Sequence, residues 1–318
     1  MTNKTDFDRA DFADVLSRYD LGNFVQASAF DHGAANSNWN LLTTKGHFAF
    51  RYYQYRSTEW ALFEAELVTR LVDHGFPTPK IFADRQGQFI ASHQGKPFAI
   101  FEFLEGEHGA NPNTSDLGFR HREIAQCLAR LHSLTADYWP QFHEHREGRD
   151  KESCLATAIK NAAKITDPER RAVRLGWLRD ELKRLEIPNE LPRGVCHGDI
   201  NYTNFLFLDE TLSGVLDFDM ACCTYLVYDL ANLIYWWTWP PGSDPDFSKI
   251  QALASAYQSQ RKLSALEKAH LYDALKMVTL MGIVWGFDDD PDFYASKSRI
   301  EFLNSMGRED FANRSFAG

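Results

Sequence analysis

The stretch GVCHGDINYTNFLFLDETLSGVLDFDM, residues 194–220, decides the fold. It contains two short apolar runs on either side of a turn near residue 209, with polar residues at the ends of both runs. A β-hairpin would bring those ends together on two neighbouring loops. The chemistry-bearing residues of the two loops are His197, Asp199, Asn204, Asp217 and Asp219.

Two of these residues suit a hard divalent cation, and a third suits a proton acceptor. Mg²⁺ takes oxygen ligands, usually carboxylates together with substrate phosphates, and Asn204 and Asp217 can supply such oxygens. Asp199 is then free to accept the proton of a hydroxyl that attacks a γ-phosphoryl group. Asp and Asn also populate exposed turns, so any one of these residues by itself favours a structural interpretation. The set as a whole favours phosphoryl transfer.

The composition excludes several classes of protein. The chain has 318 residues, with 34 Lys and Arg against 44 Asp and Glu, a formal charge of −10 and a pI near 5.6. This charge repels a nucleic-acid backbone, so no nucleic-acid partner is expected. With 44% hydrophobic and 14% aromatic residues, the chain is expected to be globular rather than disordered.

Three features predict a cytoplasmic protein without membrane association. The N-terminal segment MTNKTDFDRADF lacks the basic-then-apolar order of a signal peptide. The longest apolar run, at 277–287, is too short to span a bilayer. None of the five Cys forms a C-x-x-C pair, and we expect reduced thiols.

The sequence is strand-like before residue 104 and helical after it, which predicts an N-terminal lobe of 1–104 and a C-terminal lobe of 105–318. Three strands within 22–53, with a turn at Lys45-Gly46, and a second hairpin around Gly95 predict a small antiparallel sheet. Apolar residues at helical spacing in 57–75 predict one amphipathic helix beside it. The fold class is therefore expected to be α+β.

The stretch PQFHEHREGRD, residues 140–150, contains His143 and His145 and raises the question of a metal site. No further ligand stands at close spacing, so no zinc site is expected. The charged, breaker-rich sequence is instead typical of a solvated loop.

The motifs HGDINYTN and LDFD resemble the H-G-D-x-x-x-x-N and D-F-[GD] elements of the aminoglycoside phosphotransferase and choline kinase superfamily. Further segments that resemble the superfamily follow in the expected order, among them FEAELVTRLVDHGFPTP, FAIFEFLEGE and YDLAN. Within the superfamily the chain is most similar to the type II homoserine kinases, through FADVLSRYDLG, the NSN of the first hairpin, LSGVLDFDMAC and LSALEKA. The resemblance implies a bilobal protein-kinase-like fold and an ATP- and Mg²⁺-dependent kinase.

The resemblance also assigns roles in the catalytic segment. It makes Asp199 the catalytic base, with Asn204 and Asp217 as Mg²⁺ ligands. His197 is expected to hold the loop through backbone hydrogen bonds, and Asp229 of YDLA to anchor it. Two further roles stay open for Asp219, at the third position of the D-F-[GD] element: contact with the metal, or a place in the wall of the substrate pocket.

In the N-terminal lobe, Arg51 stands where kinases usually place the lysine of the third strand. Strand alternation puts Arg51 on the face opposite Phe48 and Phe50, where it could reach nucleotide phosphates, although a solvated sheet face is the ordinary alternative. Its partner should be a Glu of the helix. At about 100° per residue, Glu64 lies beside the apolar stripe and Glu66 points away from it, so we predict the pair Arg51–Glu64.

Two further segments are predicted to contact the nucleotide. DHGAANSN, residues 31–38, has small residues that let the backbone approach phosphates, with Gly33 and Ser37 as candidates. The hinge, with Glu102, Phe103 and Leu104, should offer backbone groups to adenine, although a core strand is the alternative there.

The acceptor is expected to be a small alcohol, because only 12 residues separate Asp217 from Asp229 and no activation segment for a peptide fits. Homoserine is the first candidate. The alternative is choline, ethanolamine or an aminoglycoside, since Trp236 and Trp237 could form an acidic aromatic pocket with Asp219, although core packing explains these Trp equally well. We expect a monomer or homodimer.

A hypothesis of another class is a non-catalytic nucleotide-binding protein with a kinase fold. Degenerate kinases typically lose the base or a metal ligand. Asp199, Asn204 and Asp217 are all present here, which counts against this hypothesis.

Overall fold

The computed structural model describes residues 5–30, 36–109 and 118–316. Gly33, in the predicted phosphate loop, lies outside the described residues. In the described part of the chain the strands are β1 (Phe24–Ala29), β2 (Ser37–Thr43), β3 (Gly46–Tyr52), β4 (Ile81–Phe82), β5 (Ala91–His93), β6 (Lys96–Glu102), β7 (Glu107–His108), β8 (Arg193–Cys196), β9 (Phe205–Leu208), β10 (Thr211–Val215) and β11 (Cys222–Tyr225). The α-helices of the same residues are α1 (Arg9–Ser17), α2 (Thr58–Asp73), α3 (Gly118–Thr135), α4 (Lys151–Ala162), α5 (Pro168–Arg184), α6 (Val227–Trp237), α7 (Phe247–Gln258), α8 (Ala265–Trp285), α9 (Asp290–Met306) and α10 (Arg308–Ser315).

The N-terminal sheet is antiparallel, in the order β1-β2-β3-β6-β4, and β5 pairs with β6. Strand alternation turns Trp39 and its cross-strand neighbour Phe50 inward, where they form a core with residues of α1. The turn between β2 and β3 lies at Thr44 and Lys45, one residue before the predicted position. The predicted hairpin around Gly95 joins β5 to β6.

Helix α2 begins and ends where its sequence indicates. The side chain of Ser57 accepts a hydrogen bond from the backbone N–H of Trp60 and caps the first turn. Gly75, with φ of 66°, follows the last turn in the left-handed conformation that stops a helix. The buried face contributes Phe63 and Leu67 to the main core.

The catalytic hairpin is made of β9 and β10, which are antiparallel with Phe205 opposite Val215. Its open end brings the two polar loops together, since the backbone N–H of Leu216 donates to the carbonyl of Asn204 at 2.8 Å. Strand β7 pairs with β9, whereas the N-terminal sheet ends at Glu102. The boundary predicted at residue 104 falls between the end of β6 and the start of β7.

The remaining C-terminal lobe is helical. Helix α8 lies at its centre and packs against α4, α6, α9 and α10. Its N-terminus is fixed by a capping box between Ser264 and Glu267. Among the helices of the described residues, none has the length and apolar character needed to cross a membrane. The expected α+β bilobal fold is confirmed.

Candidate active site

A cleft of about 600 Å³ lies between the N-terminal sheet and the loops of the catalytic hairpin. Arg51, Glu64 and the hinge line it from the N-terminal lobe. Asp199 and Asp217 line it from the C-terminal lobe. The two polar loops predicted from the sequence therefore meet the charged pair of the N-terminal sheet in one cavity.

Two amides hold the carboxylate of Asp199. Asn201 Nδ2 donates to both carboxylate oxygens at 2.9 Å, and Asn204 Nδ2 donates to Oδ2 and to the backbone carbonyl, also at 2.9 Å. Asn201 is itself held, because its Oδ1 accepts from the backbone N–H of Thr203 at 2.9 Å. The sequence prediction missed Asn201, although its position two residues after Asp199 was visible.

His197 and Asp229 build the base of this loop. The carboxylate of Asp229 is fully buried and accepts from the backbone N–H groups of His197 and Gly198 at 2.6 and 2.9 Å. His197 Nε2 lies 2.9 Å from the carbonyl of Leu216, and its Nδ1 accepts from the backbone N–H of Asp199 at 3.3 Å. The imidazole therefore bridges the two loops.

Asp217 has a left-handed backbone, with φ of 64°, and a side chain that is 37% exposed at the cleft. Its carboxylate and the amide oxygen of Asn204 are hard oxygen donors. The amide nitrogen of Asn204 is engaged with Asp199, which leaves the oxygen for a cation. This donor set fits a divalent metal ion of the Mg²⁺ type.

Arg51 and Glu64 form the ion pair predicted from strand and helix periodicity. Arg51 Nη1 lies 2.7 Å from Glu64 Oε1 and 3.1 Å from Asp217 Oδ1. Burial raises the pKa of Glu64, and the adjacent Arg51 opposes that shift. Glu66 points elsewhere and accepts from the hydroxyl of Tyr138 at 2.7 Å. Arg51 therefore belongs to the cleft and not to a solvated sheet face.

A family model described as the phosphotransferase enzyme family (APH) matches residues 26–266. The chain belongs to this family. The homoserine kinase of Rhodopseudomonas palustris (strain TIE-1) is 32% identical to this phosphotransferase over 271 residues, which cover 84% of this chain and 80% of that protein. The homoserine kinase of Bradyrhizobium diazoefficiens is 34% identical with the same coverage.

A solved structure agrees on the fold. The amicoumacin kinase hAmiN, in complex with AMP-PNP, Ca²⁺ and Ami, superposes with a TM-score of 0.67 at 17% identity, over 92% of this chain and 94% of that one. The phosphotransferase described here is a small-molecule kinase that takes an alcohol as acceptor.

Asp219 lies in the wall of the cleft, and its side chain is engaged by residues of the N-terminal lobe. Its carboxylate is buried and accepts from Arg56 Nη2 at 2.7 Å, Arg56 Nε at 3.1 Å and Trp60 Nε1 at 3.0 Å. Burial raises the pKa of Asp219, but the hydrogen bonds and charge of Arg56 outweigh it and hold that pKa below its usual range. The carboxylate is thus ionised, and its charge is paired with Arg56.

Arg146, from the stretch expected to be a solvated loop, is buried. Its guanidinium donates to the carbonyls of Ala221, Trp60, Phe218 and Asp219 at 2.6–2.9 Å. Burial lowers the pKa of Arg146 to about 10, so the side chain stays charged at neutral pH. The prediction of a solvated loop is wrong here, because the charged group finds partners on the distant segment that follows Asp217.

The two Trp proposed for an acceptor pocket differ in burial. Trp237 is 1% exposed in the core, and its indole N–H donates to the carbonyl of Ile200 at 2.7 Å. Trp236 is 39% exposed, and neither Trp is among the described residues that line the cleft. Trp237 thus packs behind the loop that carries Asp199, which is the alternative that the sequence left open for this residue.

Ser37, a candidate of the predicted phosphate loop, is not among the described residues that line the cleft. Ser37 opens β2 opposite Tyr52 and is buried, whereas Asn36 and Asn38 line the cleft. Asn38 Oδ1 accepts from Arg51 Nε at 3.2 Å.

The hinge lies at the cleft as predicted. Glu102, Phe103 and Leu104 all line it. The ring of Phe103 stacks on that of Phe30, with centroids 6.4 Å apart and an interplanar angle of 10°. The hinge thus presents an aromatic wall to the cleft.

Proposed function

We propose that this phosphotransferase is a Mg²⁺-dependent homoserine kinase. The proposal rests on its similarity to homoserine kinases over four-fifths of the chain. The structural observation that carries the choice of acceptor is the pairing of Asp219 with Arg56. An unpaired carboxylate at that position would favour a cationic acceptor without a carboxylate, and the pairing removes this argument for choline or an aminoglycoside.

Asp199 is the proposed catalytic base. The hydroxyl oxygen of homoserine attacks the γ-phosphorus of ATP, the bond from that phosphorus to the β–γ bridging oxygen breaks, and ADP leaves. Asp199 accepts the hydroxyl proton. Asn201 and Asn204 hold its carboxylate by three hydrogen bonds of 2.9 Å, which fixes the direction from which a hydroxyl can approach.

Asn204 and Asp217 are the proposed metal ligands. When bound there, Mg²⁺ supplies positive charge to the β- and γ-phosphate oxygens. Arg51, fixed by Glu64, is the proposed cation for the phosphates of the nucleotide. A guanidinium suits this role because its planar fork matches phosphate oxygens. Glu102, Phe103 and Leu104 are the proposed adenine contacts.

We further propose a cytoplasmic monomer or homodimer. All five cysteines are free thiols, which suits a reducing compartment.

The test is an enzyme-linked ADP-release assay with Mg-ATP and a panel of acceptors: homoserine, choline, ethanolamine, hydroxylysine, methylthioribose and aminoglycosides. We expect homoserine to give the highest kcat/KM and Asp199→Asn to abolish most of that signal. If homoserine gives no ADP release above the water background while choline or an aminoglycoside does, the choice of homoserine is overturned.

A further inference from the structure

The segment that carries Asp217 continues into a buried cluster that belongs to neither the proposed base nor the proposed metal ligands. We infer that Asp219, through Arg56, is a positioning residue that sets the geometry of Asp217 and thereby the affinity of the cleft for its metal ion. We call Arg56, Trp60, Arg146 and Asp219 the Asp219 clamp. The inference rests on the proposed function, in which Asp217 holds the metal.

The clamp joins the two lobes. Arg56 lies just before α2 and Trp60 lies in its first turn, both in the N-terminal lobe. Asp219 lies in the C-terminal lobe. Arg56 approaches both oxygens of Asp219, at 2.7–3.3 Å, and Trp60 Nε1 donates to its side chain and its backbone carbonyl at 3.0 and 3.1 Å. A forked donor against a carboxylate defines orientation as well as distance.

Trp60 also links the two arginines. The guanidiniums of Arg56 and Arg146 lie 4.0 and 4.1 Å from the centroid of its ring, within the range of a cation–π contact. Arg146 donates to the backbone carbonyl of Asp219 and to those of Phe218 and Ala221 on either side of it. The backbone after Asp217 is thus fixed from two sides by buried charged groups.

Asp217 needs such support, because it is a non-glycine residue with φ of 64°. A backbone of this kind persists where the surrounding structure over-determines it, and such positions cluster at functional sites. The link to the clamp is short: the backbone N–H of Asp219 donates to Asp217 Oδ1 at 3.4 Å. A shift of Asp219 therefore moves the proposed metal ligand directly.

The test compares Asp219→Asn with Asp273→Asn in the full-length protein. Asp273 is also a buried carboxylate held by an arginine fork, with Arg308 Nε and Nη2 at 2.8 and 3.0 Å, but it lies outside the cleft. The measured quantities are ADP affinity by calorimetry, with a Mg²⁺ titration and with EDTA, and the melting temperature.

We expect Asp219→Asn to raise the Mg²⁺ concentration for half-maximal ADP binding by about tenfold or more, the usual effect of losing a partner behind a metal ligand. ADP affinity in EDTA should stay within about twofold, since no metal is then involved. Asp273→Asn should lower the melting temperature without changing the Mg²⁺ requirement. If both variants change only the melting temperature, the inference is overturned.

If Asp219→Asn does not fold, Arg56→Lys tests the clamp instead, because it retains the positive charge and removes the forked guanidinium. It should raise the Mg²⁺ requirement in the same direction.

Asp217→Ala separates the two proposals. If it leaves the Mg²⁺ requirement unchanged, the proposed metal site fails; if it changes the requirement and both Asp219→Asn and Arg56→Lys leave it unchanged, only the positioning role fails.

Discussion

The catalytic loop and the Asp219 clamp lie side by side, yet they are built in different ways. In the loop, the amides that hold Asp199 stand two and five residues after it in the chain, at Asn201 and Asn204. In the clamp, Arg56 reaches Asp219 across 163 residues. The orientation of the Asp199 carboxylate is therefore set by a local motif, whereas the clamp exists only after both lobes have packed together.

This difference predicts different consequences of mutation. A change within the loop should act on the chemical step with little effect on folding. A change within the clamp should act on stability and on the metal site together.

Asp199→Asn should have the largest effect on turnover. We expect kcat to fall by about 10²- to 10⁴-fold, the usual contribution of a positioned general base. Asp199 contacts one proposed metal ligand, Asn204, and none of the proposed adenine contacts. ADP affinity should therefore change little. Steady-state kinetics and calorimetry on the same preparation check both parts, and near-wild-type turnover would remove Asp199 from the proposed role.

Arg146→Met should have the largest effect on stability. It removes four hydrogen bonds from a charged group in a buried site, and we expect a loss of about 3 kcal/mol or more in the free energy of unfolding. Urea denaturation measures this loss.

Arg149→Met is the matched control. Arg149 is equally buried, but its hydrogen bonds to the carbonyls of Gly148 and Met220 are long, at 3.5 and 3.4 Å. We expect a loss of about 1 kcal/mol. Equal losses for the two variants would mean that the short bonds of Arg146 add nothing beyond packing.

Asn201→Ala should have a smaller effect, confined to the loop. It removes the donor that contacts both oxygens of Asp199, and we expect kcat to fall by about tenfold with an unchanged KM for ATP. Asn201→Asp sharpens the test, because it keeps the size of the side chain and replaces the donor with a second carboxylate beside Asp199, so kcat should fall at least as far as in Asn201→Ala. Wild-type turnover in Asn201→Asp would show that the two side chains do not act together.

Much of the fold and of the cleft could be predicted from local pattern. Strand alternation placed Arg51, and helical periodicity chose Glu64 over Glu66, because both depend on the direction of side chains within one element. The two apolar runs with polar ends predicted the hairpin from 205 to 215, and this hairpin brings Asn204 close to Asp217. Composition and motif spacing were sufficient for the family.

The errors concern contacts between distant segments. A charged, glycine-containing stretch resembles a solvated loop unless its partner is known, and the partner of Arg146 is a set of backbone carbonyls that carries no sequence signal. The same is true of Asp219, whose acidity is visible in the sequence while its pairing with Arg56 is not. The packing role of Trp237 is also invisible in the sequence, because its indole N–H donates to a backbone carbonyl.

The central claim is that this cleft transfers the γ-phosphoryl group of ATP to the hydroxyl of homoserine, with Asp199 as the base. ³¹P NMR of a reaction with Mg-ATP and homoserine tests it most directly, because it identifies the product and not only the release of ADP. We expect a phosphomonoester of homoserine in amounts equal to ADP, and its near absence with Asp199→Asn. ADP accompanied only by inorganic phosphate, or a phosphomonoester that Asp199→Asn forms at the wild-type rate, would contradict it.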